Sequence, residues 1–381
     1  MKVNCDRAAL THWVQVASSV ATQRSPKPAL ACVKIEAGPE RMTLLATDLE
    51  VGVCLELGKM EVREPGAVLV PAERLHLILR ELDADTVALA SSGTETEISA
   101  PGARFKMLGD DPADFPNIPA FPESGVFSMP AAELLAMSQR TLFATAKEHT
   151  RYALNGVLWD LDGTSLVLVA TDGHRLSHVK GKCEPSAPAP KEGEAPAKHS
   201  AIVPAKAMML LERCLALVPD AKAVVQLAIG EREILASSPP IDGGRWTVYS
   251  RLVDGHFPKY EDLIPKDYDK KINVKTAAFL TAVRRAALLT TEESRGIHMK
   301  FGAGELTITS RAPEMGEAEV RMPVDYAGED LEIVFSPNYL LDALKVIASE
   351  EFTFQFKTAA KPGLITEGRL FKYVVMPVSV V

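Results

Sequence analysis

Apolar residues recur at helical spacing in three places along the chain. In the first, over residues 6–21, one face of the predicted helix carries Leu10, Trp13, Val14 and Ala17. This i, i+3, i+4, i+7 spacing is typical of a helix packed on a core. Further amphipathic helices are predicted to begin near Pro130 and near Thr276. The chain therefore contains three similar helix starts.

A second helix, opened by proline, follows each of these starts. The openings are Val70-Pro71, Val203-Pro204 and Ser336-Pro337, and a leucine-rich stretch follows each one. Proline in the first helical turn loses no intrahelical hydrogen bond, so each sequence is a favourable helix start.

Alternating apolar and polar residues between the helices predict strands, as in residues 42–46, 165–170 and 305–309. Two of these runs lead into matching tripeptides, Ala46-Thr47-Asp48 and Ala170-Thr171-Asp172. The first two copies also end alike, with Asp114-Phe115-Pro116 and Gly255-His256-Phe257-Pro258. We interpret the chain as three copies of one α+β unit, each with two helices and about eight strands.

Composition agrees with an ordinary globular protein that contains two or three domains. The 381 residues are 47% hydrophobic, and the sequence has no apolar run long enough to cross a bilayer. The five cysteines are scattered and form no CxxC pair, which argues against a disulfide framework or a zinc site and favours a reducing cytoplasm. A proline-rich insertion, 182–198, interrupts the second copy and is predicted to be a surface loop.

The net charge of −8 at first disfavours a nucleic-acid partner, because DNA affinity usually comes from a basic footprint. A protein that moves along DNA needs few phosphate contacts, however, and net charge does not say whether Lys and Arg concentrate on one face. Charge alone leaves the partner undecided.

A search for catalytic chemistry finds two weak candidates. His174 and His178 form an HxxxH pair, but at a strand end this spacing does not bring two imidazoles together as it would on a helix. Asp172, His174 and Arg175 are residue types suited to acid–base work. The favoured alternative for them is a turn in which Asp172 accepts hydrogen bonds from backbone amides and Gly173 supplies an unusual dihedral angle.

Longer ordered motifs carry a resemblance that covers the chain from end to end. They are Ala46-Thr47-Asp48-Leu49-Glu50, Ala113-Asp114-Phe115-Pro116, Arg151-Tyr152-Ala153-Leu154-Asn155-Gly156, the stretch from Ala170 to Leu176, the stretch from Leu252 to Pro258 and Tyr373-Val374-Val375-Met376-Pro377-Val378. In this order and spacing they resemble the bacterial DNA polymerase III beta subunit, the beta sliding clamp family.

The resemblance implies three sliding-clamp (DNA clamp) domains, which we place at 1–122, 123–268 and 269–381. In each, two helices pack on antiparallel sheets, and a head-to-tail homodimer closes into a six-domain ring with the helices lining the hole. The implied function is a non-catalytic processivity factor without cofactor, metal or membrane contact. Its implied partners are double-stranded DNA without sequence specificity, the clamp loader, the replicative polymerase and other proteins with a clamp-binding motif.

Two sets of site residues follow from the resemblance. Cationic helix faces and a rim loop are expected to contact DNA; these residues are Arg24, Arg80, Arg151, Tyr152, Lys206 and Arg213. An apolar pocket is expected to bind short partner peptides; its residues are Leu154, Thr171, Gly173, His174, Arg175, Leu176, Pro258, Leu263, Tyr339, Val374, Val375, Met376, Pro377 and Val378. The run from Val374 to Val378 is equally typical of a buried last strand.

Three positions depart from the family pattern. Ala153 stands where a second aromatic residue is common, Asp262 where some members have a basic residue, and Ser379-Val380-Val381 where basic and leucine residues commonly end the chain. Peptide preference is expected to differ accordingly. Two other functions remain open at this point, a hydrolase that uses Asp172 and His174, and a duplicated scaffold that never binds DNA.

Overall fold

A computed structural model describes residues 1–22, 25–58, 60–147, 152–185, 198–241, 244–291 and 296–378, without the side chain of Tyr152. These residues contain 26 strands and six α-helices. The chain divides into two compact units. Unit 1 consists of Met1–Leu135 and Lys182–Leu252, and unit 2 consists of Ala136–Gly181 and Val253–Val381.

The strands of unit 1 are short and antiparallel. The first copy contributes β1 (Lys2–Asp6), β2 (Cys32–Ala37), β3 (Met42–Thr47), β4 (Val51–Leu57), β5 (Met60–Glu64), β6 (Gly66–Pro71), β7 (Thr86–Ser92), β8 (Glu95–Ala100) and β9 (Ala103–Leu108). The second copy contributes β10 (Val126–Pro130), then, beyond three strands of unit 2, β14 (Glu184–Pro185), β15 (Lys198–Pro204), β16 (Val224–Ile229), β17 (Glu233–Ser237) and β18 (Gly244–Arg251).

Two sheets organise unit 1. One has the order β5-β1-β7-β8-β9, and the other has the order β14-β10-β16-β17-β18-β4-β3-β2-β6. Helices α1 (Arg7–Ser18) and α2 (Ala72–Glu81) pack against each other, and α4 (Ala205–Leu215) packs against β18. Leu10, Val14 and Ala17 of α1 are fully buried, as the apolar spacing predicts.

Unit 2 contains β11 (Gly156–Asp162), β12 (Ser165–Thr171) and β13 (Arg175–Lys182) of the second copy. The third copy adds β19 (Lys270–Lys275), β20 (Ile297–Gly302), β21 (Glu305–Ala312), β22 (Gly316–Pro323), β23 (Leu331–Phe335), β24 (Glu351–Phe356), β25 (Gly363–Glu367) and β26 (Phe371–Val375). One sheet runs β11-β12-β13-β26-β25-β24-β19, and the other runs β22-β21-β20-β23.

Helices and aromatic side chains fill the core of unit 2. Helix α5 (Thr276–Ala286) packs against α6 (Pro337–Leu344) and against β22. The rings of Phe301 and Phe356 stack with centroids 4.3 Å apart, and that of Phe354 meets Phe356 at 5.4 Å. Helix α3 (Ala131–Gln139) contains the point at which the chain passes from unit 1 to unit 2.

The predicted helix starts are confirmed, with small differences at the boundaries. The first helix begins one residue later than expected, because the carboxylate of Asp6 accepts a hydrogen bond from the amide of Ala9 and so caps it. It also ends at Ser18, before the predicted Ala21. Pro71 and Pro204 precede their helices as N-caps, and only Pro337 lies inside the first turn.

The same strand pairing joins successive copies twice. In unit 1, β4 of the first copy pairs with β18, the last strand of the second, from Val51–Ser250 to Leu57–Gly244. In unit 2, β13 of the second copy pairs with β26, the last strand of the third, from Arg175–Val375 to Val179–Phe371. Strands β9 and β22, which occupy the corresponding positions in the first and third copies, are sheet edges in the part of the chain that the structure describes.

Candidate functional site

A cavity of about 370 Å³ lies where β13 and β26 pair in unit 2. Leu176 and Val374 are directly paired across the two strands, so their side chains lie on the same face of the sheet. The predicted pocket residues that line the cavity are Thr171, Gly173, Arg175, Leu176, Leu263, Val374 and Met376. This volume is within the range of small-ligand sites and suits a few apolar side chains.

The turn from Thr171 to Arg175 forms one end of the cavity. One carboxylate oxygen of Asp172 accepts hydrogen bonds from the amides of His174 (2.9 Å) and Arg175 (3.0 Å), and Gly173 has a φ of 92°. The hydroxyl of Thr171 donates to the carbonyl of Arg175. This is the capped turn favoured from the sequence. The carboxylate of Asp172 stabilises the backbone of the turn and is not placed to transfer a proton in catalysis.

The first copy repeats this turn. The hydroxyl of Thr47 donates to the carbonyl of Val51, and the carboxylate of Asp48 accepts from the amides of Glu50 and Val51. Leu49, with a φ of 78°, occupies the place of Gly173. The tripeptide match in the sequence therefore corresponds to one turn built twice.

Arg175 connects this turn to α6. Its guanidinium donates to the carboxylates of Asp172 (3.0 Å) and Asp342 (2.8 Å) and to the carbonyl of Phe143 (2.6 Å). It lies 4.6 Å from the ring centroid of Tyr339, within cation–π distance. Because only 6% of its surface is exposed, Arg175 acts as an internal support of the cavity.

The chain end forms another part of the site. The amide of Met376 donates to the carbonyl of His174 (2.9 Å), and the amide of Val378 donates to the carbonyl of Val334 (2.8 Å). The imidazole of His174 stacks on Tyr339 with ring centroids 6.3 Å apart. His174, Tyr339, Pro377 and Val378 therefore lie beside the cavity rather than among its lining residues.

The other predicted pocket residues lie elsewhere. Val375 is fully buried, and strand alternation directs its side chain to the face opposite Val374. Leu154 is buried in a short 3-10 turn, and Pro258 is exposed. The run from Val374 to Val378 thus serves both as a buried strand and as a cavity wall.

Sequence reasoning missed half of the cavity lining. Two segments supply the missed residues: Asp262, Pro265, Lys266 and Asp267 from one, and Lys357, Lys361 and Pro362 from the other. From the sequence, Asp262 is distinguished only by its departure in charge from the family pattern. Pro265 and Lys266 follow Leu263 closely in the sequence, and this proximity could have indicated that they line the same cavity. Lys357 reaches the site through the strand order β26-β25-β24, which no local sequence pattern reveals.

Three of the predicted DNA contacts lie on exposed helix faces of unit 1. Arg80 is in the last turn of α2 and pairs with Glu81 at 3.0 Å. Lys206 and Arg213 are exposed on α4, and the ammonium group of Lys206 forms an ion pair with the carboxylate of Asp48. Arg24, Arg151 and the final three residues lie outside the described residues, and only the backbone of Tyr152 is described.

The described ranges contain no group of three or more His, Cys, Asp or Glu residues placed to hold a metal ion. The imidazole of His178 faces the ring of Tyr260, with centroids 5.8 Å apart, whereas His174 stacks on Tyr339. Each histidine of the HxxxH pair thus has its own aromatic neighbour. None of the described helices is long and apolar enough to span a membrane.

Comparison with protein families gives three consecutive matches. Residues 1–119 match the N-terminal domain, residues 128–259 the central domain and residues 261–379 the C-terminal domain of the DNA polymerase III beta subunit.

Individual relatives agree with the family matches over the full length. The beta sliding clamp of Pseudomonas putida is 34% identical over 380 residues, which cover 99% of both chains. A crystal structure of the Pseudomonas aeruginosa sliding clamp bound to griselimycin superposes with a TM-score of 0.88, 32% identity and complete coverage of both chains. The Bacillus subtilis DNA polymerase sliding clamp has a TM-score of 0.89 at 27% identity, again with complete coverage.

With its three clamp domains, its twice-built turn and its full-length relatives, the chain belongs to the DNA polymerase III beta subunit family, the non-catalytic beta sliding clamps.

Proposed function

We propose that two copies of this chain close head to tail into a ring that encircles duplex DNA and tethers the replicative polymerase to it. The observation that carries the proposal is the repeated joint, in which the strand after the Thr-Asp turn pairs with the last strand of the next copy. If the same pairing also forms between chains, β22 in the third repeat of one chain pairs with β9 in the first repeat of the other chain. A heterologous contact that closes on itself gives a finite ring.

The two sheet edges have opposite net charge. Strand β9 carries Arg104 and Lys106, and β22 carries Glu317, Glu319 and Arg321. Arg104, Lys106 and Glu319 already form ion pairs with Glu97, Glu95 and Arg321, so they add less to a contact between chains than free charges would. Apolar residues accompany both edges, with Leu108 74% exposed at the end of β9 and Leu288 70% exposed beyond α5, which packs on β22. Burial of such residues contributes a favourable transfer term of about 25 cal/mol per Å², from which the entropy lost on association is subtracted. Unpaired sheet edges of this kind are also templates for strand addition.

The DNA contact is proposed to be weak and independent of sequence. Arg24, Arg80, Arg151, Tyr152, Lys206 and Arg213 would face phosphates, which carry no base information. The ion pair of Lys206 with Asp48 supports this view, because a cation that is already partly neutralised gains less from a phosphate. Topological linkage, rather than affinity, would then retain the ring on DNA.

Partners are proposed to insert a short extended peptide into the cavity between β13, β26 and residues 262–267. The clamp loader, the replicative polymerase and other proteins with a clamp-binding motif would share it, and the predicted pocket residues are proposed as its surroundings. Because the related Pseudomonas aeruginosa clamp was solved with griselimycin, we propose that this chain binds the same compound.

The combined substitution Met376→Ala and His174→Ala tests this pocket. It should weaken an apolar partner peptide by about tenfold or more, since it removes one lining side chain and one neighbour, each worth roughly 1 kcal/mol or more. Fluorescence polarisation with a labelled peptide measures the affinity, griselimycin should displace the peptide, and size-exclusion chromatography checks that the dimer is intact. Unchanged peptide affinity in an intact dimer contradicts the pocket assignment.

We also propose domain boundaries at 1–122, 123–268 and 269–381, and a cytoplasmic location. The five cysteines, all free thiols, support a reducing compartment.

Retention on DNA tests the ring. The labelled protein is loaded onto nicked circular plasmid by its clamp loader and ATP, and the DNA is then linearised and filtered at raised salt. Survival on circles with loss from linear DNA supports the sliding ring. Equal behaviour on both, with an active loader, would indicate ordinary DNA binding or a protein scaffold instead.

A further inference from the structure

The sheet face that forms the partner cavity continues beyond it into a second cavity. Leu176 and Val374 are paired in the first cavity, and two residues further along each strand His178 is paired with Lys372. Strand alternation places all four side chains on one face. His178 and Lys372 line a separate cavity of about 710 Å³, roughly 7 Å from the first at the usual rise per strand residue.

One segment separates the two cavities and contributes to both. Pro265 and Lys266 are lining residues of each. The segment is anchored by Tyr260, which is buried against His178 and whose hydroxyl donates to the carboxylate of Asp160 at 3.2 Å. The two cavities are therefore adjacent across this segment, and a ligand that fills the first would have to pass Lys266 to extend into the second.

The second cavity contains polar atoms without partners. Gln355 is only 8% exposed, and its side-chain carbonyl oxygen has no hydrogen-bond partner among the described residues. The same holds for Nδ1 of His178. A buried amide oxygen without a donor costs about 1–3 kcal/mol, so a ligand that brings an N–H group to Gln355 recovers that energy.

The charge of the second cavity is positive. Its lining includes Lys266, Arg369 and Lys372, and for none of them do the described residues provide a carboxylate within 4.0 Å. Glu261 is the acidic residue of the lining. Lys372 is partly buried, and an anion beside it is screened less than on an open surface.

We infer that the second cavity binds an acidic extension of the same partner peptide that fills the first. Asp or Glu side chains of the extension pair with Lys372 and Arg369, and a backbone N–H of the peptide donates to Gln355. The span of roughly 7 Å corresponds to about two residues of extended chain between the apolar anchor and the first acidic residue. The inference rests on the proposed partner pocket.

Duplex DNA is the other polyanion that such cations could attract. The recessed position of Gln355 and Lys372 favours a thin extended chain, because a phosphate on a wide duplex cannot reach a buried amide. DNA is therefore tested as an alternative occupant.

Five labelled peptides test the inference by fluorescence polarisation on the intact dimer. All share one apolar anchor of two leucines and a phenylalanine. One has no extension, two have an aspartate extension before or after the anchor, and two have the matching asparagine extension. The clamp variants are the double substitution Lys372→Gln with Arg369→Gln, and Lys300→Gln, an exposed lysine on the other sheet of unit 2 that serves as the control.

We expect one of the aspartate peptides to bind the unsubstituted clamp about tenfold more tightly than its matching asparagine peptide, a difference of roughly 1.4 kcal/mol. The double variant should lose this preference and keep its affinity for the unextended peptide, while Lys300→Gln keeps both. Equal binding of each aspartate peptide and its matching asparagine peptide, with the unextended peptide still bound, overturns this inference alone. Failure of the unextended peptide to bind overturns the partner pocket and the inference with it. Loss of retention on circular DNA in the double variant, without loss of peptide preference, assigns the cations to DNA and overturns the inference.

Discussion

Replacing Arg175 with methionine should loosen the region around the partner cavity without unfolding unit 1. Methionine has an unbranched side chain that replaces the aliphatic stem of arginine, so the substitution removes the guanidinium but little packing volume. The lost contacts are the hydrogen bonds to Asp172, Asp342 and the carbonyl of Phe143. Both carboxylates are mostly buried, with 16% and 32% of their side chains exposed, and would remain without their main cation.

The magnitude follows from these three contacts. Hydrogen bonds to charged groups contribute about 1.5–3 kcal/mol each, which gives roughly 4.5–9 kcal/mol for the three. Part of this sum is offset because the guanidinium no longer has to be desolvated. Removing one partner of a buried ion pair costs about 3–5 kcal/mol in measured cases, and we expect a loss of that size.

Amide hydrogen exchange measured by mass spectrometry suits this test, because two units need not unfold in one step. Exchange in β13 and α6 should become about 100- to 4000-fold faster, at roughly 1.4 kcal/mol per factor of ten, while exchange in unit 1 stays unchanged. Exchange in the Arg175→Lys variant should be faster than in the unsubstituted protein and slower than in Arg175→Met, because lysine keeps the positive charge but lacks the planar guanidinium with its several donors. Arg63→Met removes an exposed ion pair and serves as the control, with an expected loss under about 1 kcal/mol. Unchanged exchange in β13 and α6 would refute the supporting role of Arg175.

Three further predictions concern other parts of the molecule. Burial and the nearby Lys372 lower the pKa of His178, so the unfolded chain binds a proton at this residue more readily than the folded chain does. The free energy of unfolding of unit 2, measured by urea titration, should therefore fall as pH drops below about 6.5, and His178→Gln should reduce this dependence on pH. The same dependence on pH in both proteins would contradict the prediction. Leu288→Asp should convert the dimer to a monomer, as measured by size-exclusion chromatography with light scattering. Leu370→Asp changes an exposed leucine away from the two edges and should leave the dimer intact. A dimeric Leu288→Asp protein argues against the proposed pairing of β22 with β9. Cys183 is buried, and burial raises the pKa of its thiol to about 11, so maleimide should label it at neutral pH only at the rate of unfolding. Fast labelling of Cys183 in the native protein would disprove this protection.

Local signals in the sequence were sufficient for the helices and for the central turn. Asp6 caps α1, and proline opens or precedes three more helices, so short-range chemistry fixes these starts. The turn at Asp172 was predictable for the same reason, since an aspartate followed by glycine can satisfy its own backbone amides.

Strand partners between copies were not predictable in this way. Alternation indicates which face a residue occupies, but it does not say that β13 pairs with β26, almost two hundred residues later in the chain. The walls of the cavity depend on that pairing, and Lys357 and Lys361 were missed because of it. Val375 was assigned to the pocket together with its neighbours, although alternation alone would have directed it to the opposite face.

The two joints within the chain also bear on how many contacts must form between chains. Strand β4 pairs with β18, and β13 pairs with β26, by one rule that needs only a neighbouring copy presenting its last strand. In the proposed ring of two chains, six copies meet at six joints, and four of these joints lie within the chains. Joining three copies in one polypeptide thus leaves two contacts to be made by association, where six separate copies would need six.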